Sequence, residues 1–246
     1  VDGSSGRLCS RAEAEADARA AMGSPLLEAC RTGGEDAVRQ LLGRGAGDEE
    51  GSGPEGVTPL LAAAEGNHVA AMRLLLDAGA SANRPAVDGA TPLLVAAQRG
   101  NADAAKLLCQ SGADLDLAKK DGTTPLVMAS RRGHLEVVKL LCDRGAEDVP
   151  RRCEPALYAA AFFGHAQVAQ FLCDVGADVD KGTASATPLM AAREEGHAEA
   201  EDVLLEHGAS EAAPKGVKMN VAGCMALAVS VLLCFGAAAA THYEQH

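Results

Sequence analysis

A block of about 33 residues repeats along this chain, and no other feature restricts its fold as tightly. A unit that short cannot bury an apolar face alone, so its copies must stack. Thr58-Pro59-Leu60 returns as Thr91-Pro92-Leu93 and Thr124-Pro125-Leu126, each at a step of 33, and again as Thr187-Pro188-Leu189. Weaker copies stand at Ser24-Pro25-Leu26 and Pro155-Ala156-Leu157. Nine residues after each start comes Gly33, Gly100, Gly133, Gly164 or Gly196, with Asn67 in that place in the second copy. Asn tolerates the left-handed backbone that Gly supplies. Each unit closes on Gly-Ala, at Gly45, Gly79, Gly112, Gly145, Gly176 and Gly208.

Pro at the start and Gly past the end predict a first helix from each Pro to the first Gly, then a second ending before Gly-Ala. In the fourth unit Val137, Val138, Leu140 and Leu141 share one face of the second helix over 136–141. Composition agrees with an all-α chain. Hydrophobic residues make up 48%, aromatics only 2% and there is no Trp, a poor supply for a β-sandwich or barrel. Twenty-two basic against 34 acidic residues, a net charge of −12, exclude a general phosphate-binding surface and with it nucleic acid as a partner.

Thr-Pro-Leu, the following Ala-Ala, Gly-His and a Leu-Leu-x-x-Gly-Ala ending, repeated unit after unit, resemble the ankyrin-repeat family. The resemblance covers residues 23–210 in six units, about 24–46, 58–80, 91–113, 124–146, 155–177 and 187–209. It implies an all-α solenoid of stacked helix pairs with a concave binding face, and protein binding without catalysis. Two departures stand out. The family's His after Thr-Pro-Leu is replaced by Leu27, Leu61, Leu94, Val127, Tyr158 and Met190, which predicts a weaker polar network and lower stability than an idealised array. After the fourth unit the loop 147–152 lacks the Asp-Gly turn seen at Asp88-Gly89 and Asp121-Gly122, and an irregular stack is expected there.

By the resemblance, the residues just before the first Gly of each unit face the concave surface. Arg131 and Arg132 then lie beside Phe162 and Phe163, with Tyr158 one turn away and Arg99 on the preceding unit. Lys119, Lys120, Arg151 and Arg152 are expected on loop tips nearby. Residues 84–152 hold 11 of the 22 basic residues against nine acidic ones. Aromatics beside Arg have the composition of a binding hot spot, and an acidic peptide with an apolar anchor is the partner that fits. The alternative is that Phe162 and Phe163 cover a distorted unit.

No cofactor, metal or catalytic constellation emerges. Gly51-Ser52-Gly53-Pro54-Glu55-Gly56 matches a phosphate-loop pattern, but it follows Asp48, Glu49 and Glu50 and reads as a flexible acidic connector over 47–57. Cys109, Cys142 and Cys173 share one repeat position, where a Cys acts as a small buried hydrophobe, and stacked equivalents stand too far apart for disulfides. His68, His134, His165 and His197 share another, which points to local hydrogen bonding rather than zinc. His242 and His246 read as a frayed tail.

The ends differ from the repeats. Residues 1–22 include an Ala-rich charged segment with no apolar stripe, and without an apolar stretch they do not read as a secretory signal. After a linker, 211–220, the 20 residues 221–240 carry no charge, about the length that crosses a bilayer core. Lys215 and Lys218 precede the segment and nothing basic follows, which predicts a C-terminal membrane anchor with cytoplasmic repeats and a short tail, 241–246, beyond. The alternatives are a buried helix capping the sixth unit of a soluble binding protein, or a regulatory subunit of a membrane assembly in which this helix packs with other subunits.

Overall fold

The computed structural model describes residues 24–45, 53–145, 149–182 and 186–210, leaving aside the side chains of 54 and 149–151. Residues 1–22 and 211–246, with the expected linker, apolar helix and tail, lie outside the described residues. Twelve α-helices and no strand are found among those described. They pair as α1 (Pro25–Thr32) with α2 (Glu35–Gly43), α3 (Pro59–Glu65) with α4 (Val69–Asp77), and α5 (Pro92–Arg99) with α6 (Ala102–Gln110). The next pairs are α7 (Pro125–Arg132) with α8 (Leu135–Arg144), α9 (Val149–Phe162) with α10 (Ala166–Asp174), and α11 (Pro188–Glu195) with α12 (Ala198–Glu206). The odd-numbered first helices contact one another in succession, and so do the even-numbered second helices, which makes two parallel layers.

The repeated Thr-Pro starts each first helix by a plain chemical device. Thr58, Thr91, Thr124 and Thr187 are extended N-caps whose hydroxyls accept from the backbone N–H groups of Leu61, Leu94, Val127 and Met190 at 3.2–3.3 Å. Pro in the next position gives up no bond there. Small residues at the interior of the first helices, among them Ala63, Ala64, Ala96, Ala97, Ala129, Ala160 and Ala161, are fully buried and let the layer close up. Leu75, Leu108, Leu141, Leu172 and Leu204 of the second helices fill the space between layers, each worth roughly 2 kcal/mol on burial.

The sequence points to local hydrogen bonding by the shared histidines, whereas in the structure they tie neighbouring units together. His68, His134, His165 and His197 each stand at the N-cap of a second helix, and each ring Nε2 donates to a carbonyl of the preceding unit. The acceptors are Arg31, Gln98, Arg131 and Phe162, at 2.9–3.1 Å. Asn101 does the same work in the third unit, with Nδ2 donating to the carbonyls of Ala64 and Glu65. These bonds satisfy carbonyls at the ends of the first helices, so part of the missing polar network is supplied from another position.

The start of the fifth unit differs from expectation, and of the connector 47–57 only residues 53–57 are described. The fifth unit was expected to begin at Pro155, but α9 starts six residues earlier, at Val149, and carries Pro155 inside it. The reason is that Pro155 stands where other units have the capping Thr, so nothing stops the helix on the N-terminal side. Of the acidic connector, residues 53–57 form a 3-10 turn (Pro54–Gly56) fastened to the next unit by the bond from Val87 N–H to the Glu55 carbonyl, 2.9 Å.

The sixth unit is the last among the described residues, and it differs from the other five. Cys30, Ala64, Ala97, Ser130 and Ala161 hold one first-helix position and are 0% exposed, whereas Arg193 holds it in the sixth unit. Val38, Met72, Ala105, Val138 and Ala169 hold a second-helix position, equally buried, which in the sixth unit is Glu201. Arg193 Nε donates to Glu201 Oε1 at 2.5 Å. The two positions that bury against a following unit elsewhere are here an ion pair.

Candidate protein-interaction surface

The last turn of each first helix points away from the core because Gly or Asn stops the helix there. In α7 this leaves Arg131 half-buried and Arg132 exposed, with Gly133 left-handed at φ 74°. In α9 it leaves Phe162 half-buried and Phe163 exposed. The two units meet as the sequence suggested. The Arg131 guanidinium lies 5.3 Å from the centroid of the Phe163 ring. Phe162 meets Phe163 edge to face at 5.0 Å, and Tyr158 lies 6.3 Å from Phe162 with the rings 28° apart. The inter-unit ties hold both ends of this cluster, since His165 bonds the Arg131 carbonyl and His197 that of Phe162.

Phe163 is 36% exposed, and only Val87 joins it among large exposed hydrophobics in the described residues. An aromatic face under a guanidinium, with a second Arg beside it, offers apolar contact and two sets of N–H donors to one ligand.

The remaining basic candidates divide. Arg99 is paired across units with the Glu65 carboxylate. Lys119 Nζ bonds Asp88 Oδ2 at 2.7 Å. Burial pushes the Asp88 carboxyl up, but the hydrogen bonds from Lys119 and the Ala90 N–H outweigh it and leave Asp88 below the usual carboxylate range. Lys120 is exposed, and its backbone N–H donates to the Asp88 carbonyl. Arg152 is not on a loop tip. It belongs to α9, its side chain is 17% exposed, and its Nε donates to Asp116 Oδ1 at 2.7 Å. The helix continues through 152 for want of a Thr cap, which turns this Arg inward. Arg151 shares the helix, and its side chain lies outside what is described.

Reading one unit at a time missed the acidic partners Glu65, Asp88 and Asp116. The signal was present, because Glu65 and Arg99 hold adjacent repeat positions in successive units. Cys109 is half-buried while Cys142 and Cys173 are buried. Among the described residues, no three His, Cys, Asp or Glu side chains converge to hold a metal.

No curated protein matches the chain by sequence. Among solved structures, the human ASB11 ankyrin repeat domain superposes with a TM-score of 0.70 at 30% identity, covering 79% of this chain and 89% of that one. The ankyrin repeat protein EF0377 gives 0.65 at 26%, covering 74% and 96%. The family profile for ankyrin repeats (three copies) matches residues 8–86, 26–118, 81–153 and 148–215. With the capped helix pairs, the two-layer stack and a profile running from residue 8 to residue 215, the chain belongs to the ankyrin-repeat family.

Proposed function

We propose that this ankyrin-repeat protein, a protein-interaction module by family, is a non-enzymatic scaffold that takes an acidic peptide with an apolar anchor on its first-helix face. The observation that carries the reading is Phe163, exposed, under the Arg131 guanidinium and next to exposed Arg132. An apolar anchor seats on Phe163 and Tyr158, and carboxylates of the same peptide reach Arg131, Arg132 and Lys120. Glu194 and Glu195 on the following unit repel the acidic end and set its direction toward the fourth unit.

The test is selection from a displayed random-peptide library on the folded repeats, with affinities then measured on Phe163→Ala/Arg132→Ala. Both side chains are exposed, so the variant is expected to melt like the parent. Selected peptides are expected to be acidic with one large apolar residue, and to lose about 2 kcal/mol, roughly 30-fold, on the variant. Peptides without acidic bias, or equal binding to the variant, defeat the reading.

A second part concerns residues 221–240, which lie outside the described residues. No helix among the described residues is long and apolar enough to cross a membrane. What supports an anchor over a cap is the sixth unit, whose Arg193–Glu201 pair occupies the positions that a further packed element would cover. A terminal unit with a polar outer face closes a solenoid by itself. The 20 uncharged residues are then available to a bilayer, and the lysines before them place the repeats on the cytoplasmic side.

A further inference from the structure

We infer that Cys142 and Cys153 form a reversible redox site, which a peroxide closes to a disulfide that staples α8 to α9 across the junction of units four and five. The two sulfurs stand 3.6 Å apart in a thiol–thiol hydrogen bond. A disulfide is about 2.05 Å long, so each sulfur has to move by less than about 0.8 Å. Cys142 lies in the last turn of α8 and Cys153 near the start of α9, and both are buried. This pair was hidden in the sequence because Cys153 lies in no repeat position shared with the other cysteines.

The surroundings separate the two thiols. The hydrogen bond from Cys142 and the nearby Arg152 guanidinium hold the Cys153 thiol below its usual value, against the upward pull of burial. The same bond and burial push the Cys142 thiol up. Burial also raises Cys109, and it raises Cys173 to about 11. Arg152 is fixed for this by Asp116 and by the Gly145 carbonyl at 3.4 Å. Within this proposal Cys153, next in the chain to Arg152, takes the role of nucleophile and Cys142 that of resolving thiol.

In the first step the Cys153 thiolate attacks one oxygen of hydrogen peroxide; an S–O bond forms, the O–O bond breaks and hydroxide leaves, taking up a proton as water. In the second, the Cys142 sulfur attacks the Cys153 sulfenic sulfur. The S–S bond forms, the S–O bond breaks, and the hydroxide leaves with the Cys142 proton as water. Two thiols lose two electrons, and one peroxide becomes two waters. Because Cys153 is 0% exposed, the oxidant has to be small or the reaction waits on local opening.

The staple joins the unit bearing Arg131 to the helix bearing Tyr158 and Phe162. It rests on the α8–α9 geometry alone and stands or falls apart from the peptide-binding reading. The test treats the folded full-length chain with stoichiometric hydrogen peroxide, blocks remaining thiols and maps peptides by mass. The expected result is a cross-linked pair bearing Cys142 and Cys153, in roughly tenfold excess over any other cysteine pair and reversed by dithiothreitol. Cys142→Ala and Cys153→Ala each remove it, and the oxidised parent shows a higher urea midpoint that neither variant gains. Peroxide that leaves these two thiols reduced, oxidises them without joining them, or joins other pairs to the same extent overturns the proposal. The mapping on the parent decides the matter even if a variant fails to fold.

Discussion

The residue that ends each first helix answers to two demands at once. At Gly100, Gly133 and Gly164 the backbone is left-handed, and a Cβ would fall 2.5–2.6 Å from Nδ1 of His134, His165 or His197 in the next unit. Asn67 meets the first demand at φ 56°, and it escapes the second because the next unit presents Asn101 instead of His. Its own Oδ1 accepts from the Ala104 N–H at 3.2 Å. The pair is a local exchange of one tie for another. Asn101→His alone is expected to destabilise by about 1–2 kcal/mol through overpacking against Asn67. Adding Asn67→Gly recovers most of that loss. Urea unfolding of the four-member cycle measures the coupling, and strict additivity would show that the two sites do not compete for the space.

At the scale of elements, α9 and the α10–α12 pair make distinct predictions. Pro155 inside α9 removes the N–H that the helix would otherwise use. Pro155→Ala restores it, and the expected gain is about 1 kcal/mol after allowing for the freer unfolded chain. A lower urea midpoint would mean that α9 does not run unbroken through residue 155. His207, just past α12, donates from Nδ1 to the Val203 carbonyl at 2.8 Å and from Nε2 to Asp174 of α10 at 3.2 Å. The Val203 carbonyl first, and then the Asp174 carboxylate, hold its pKa above the ordinary 6.5, although burial opposes them. A raised folded pKa stabilises fully below the unfolded value and is lost as pH rises through the folded one. Stability is therefore expected to fall on going from pH 6 to pH 8 by about 0.5 kcal/mol or less, since the pair is partly exposed. His207→Gln flattens that slope in urea titrations; an unchanged slope would assign it to other groups.

For the whole molecule, the decisive feature is the outer face of the sixth unit. Five units bury Ala, Ser or Cys and an apolar partner at the two positions that the sixth fills with Arg193 and Glu201. If the sixth unit caps the solenoid, a chain ending at residue 216 keeps the urea midpoint of the full-length protein. Alkaline carbonate extraction of expressing cells then leaves only the full-length chain in the membrane pellet. Two soluble chains, with the shorter one unfolding earlier, would make residues 221–240 a packed cap and remove the anchor.

Much of this protein was legible before any coordinates. Helix starts at Thr-Pro, helix stops at Gly and the number of units follow from backbone chemistry that acts within a few residues, and such signals survive in the linear chain. The adjacency of Arg131 and Phe163 followed as well, because matching places in successive units convert sequence position into distance. Three things waited for the tertiary structure. The shared histidines proved to bond the neighbouring unit, Arg152 turned inward to Asp116, and Cys153 came within 3.6 Å of Cys142. Each depends on how the units meet at one irregular or inter-unit contact, where the repeat no longer supplies the distance and packing alone decides which side chains touch.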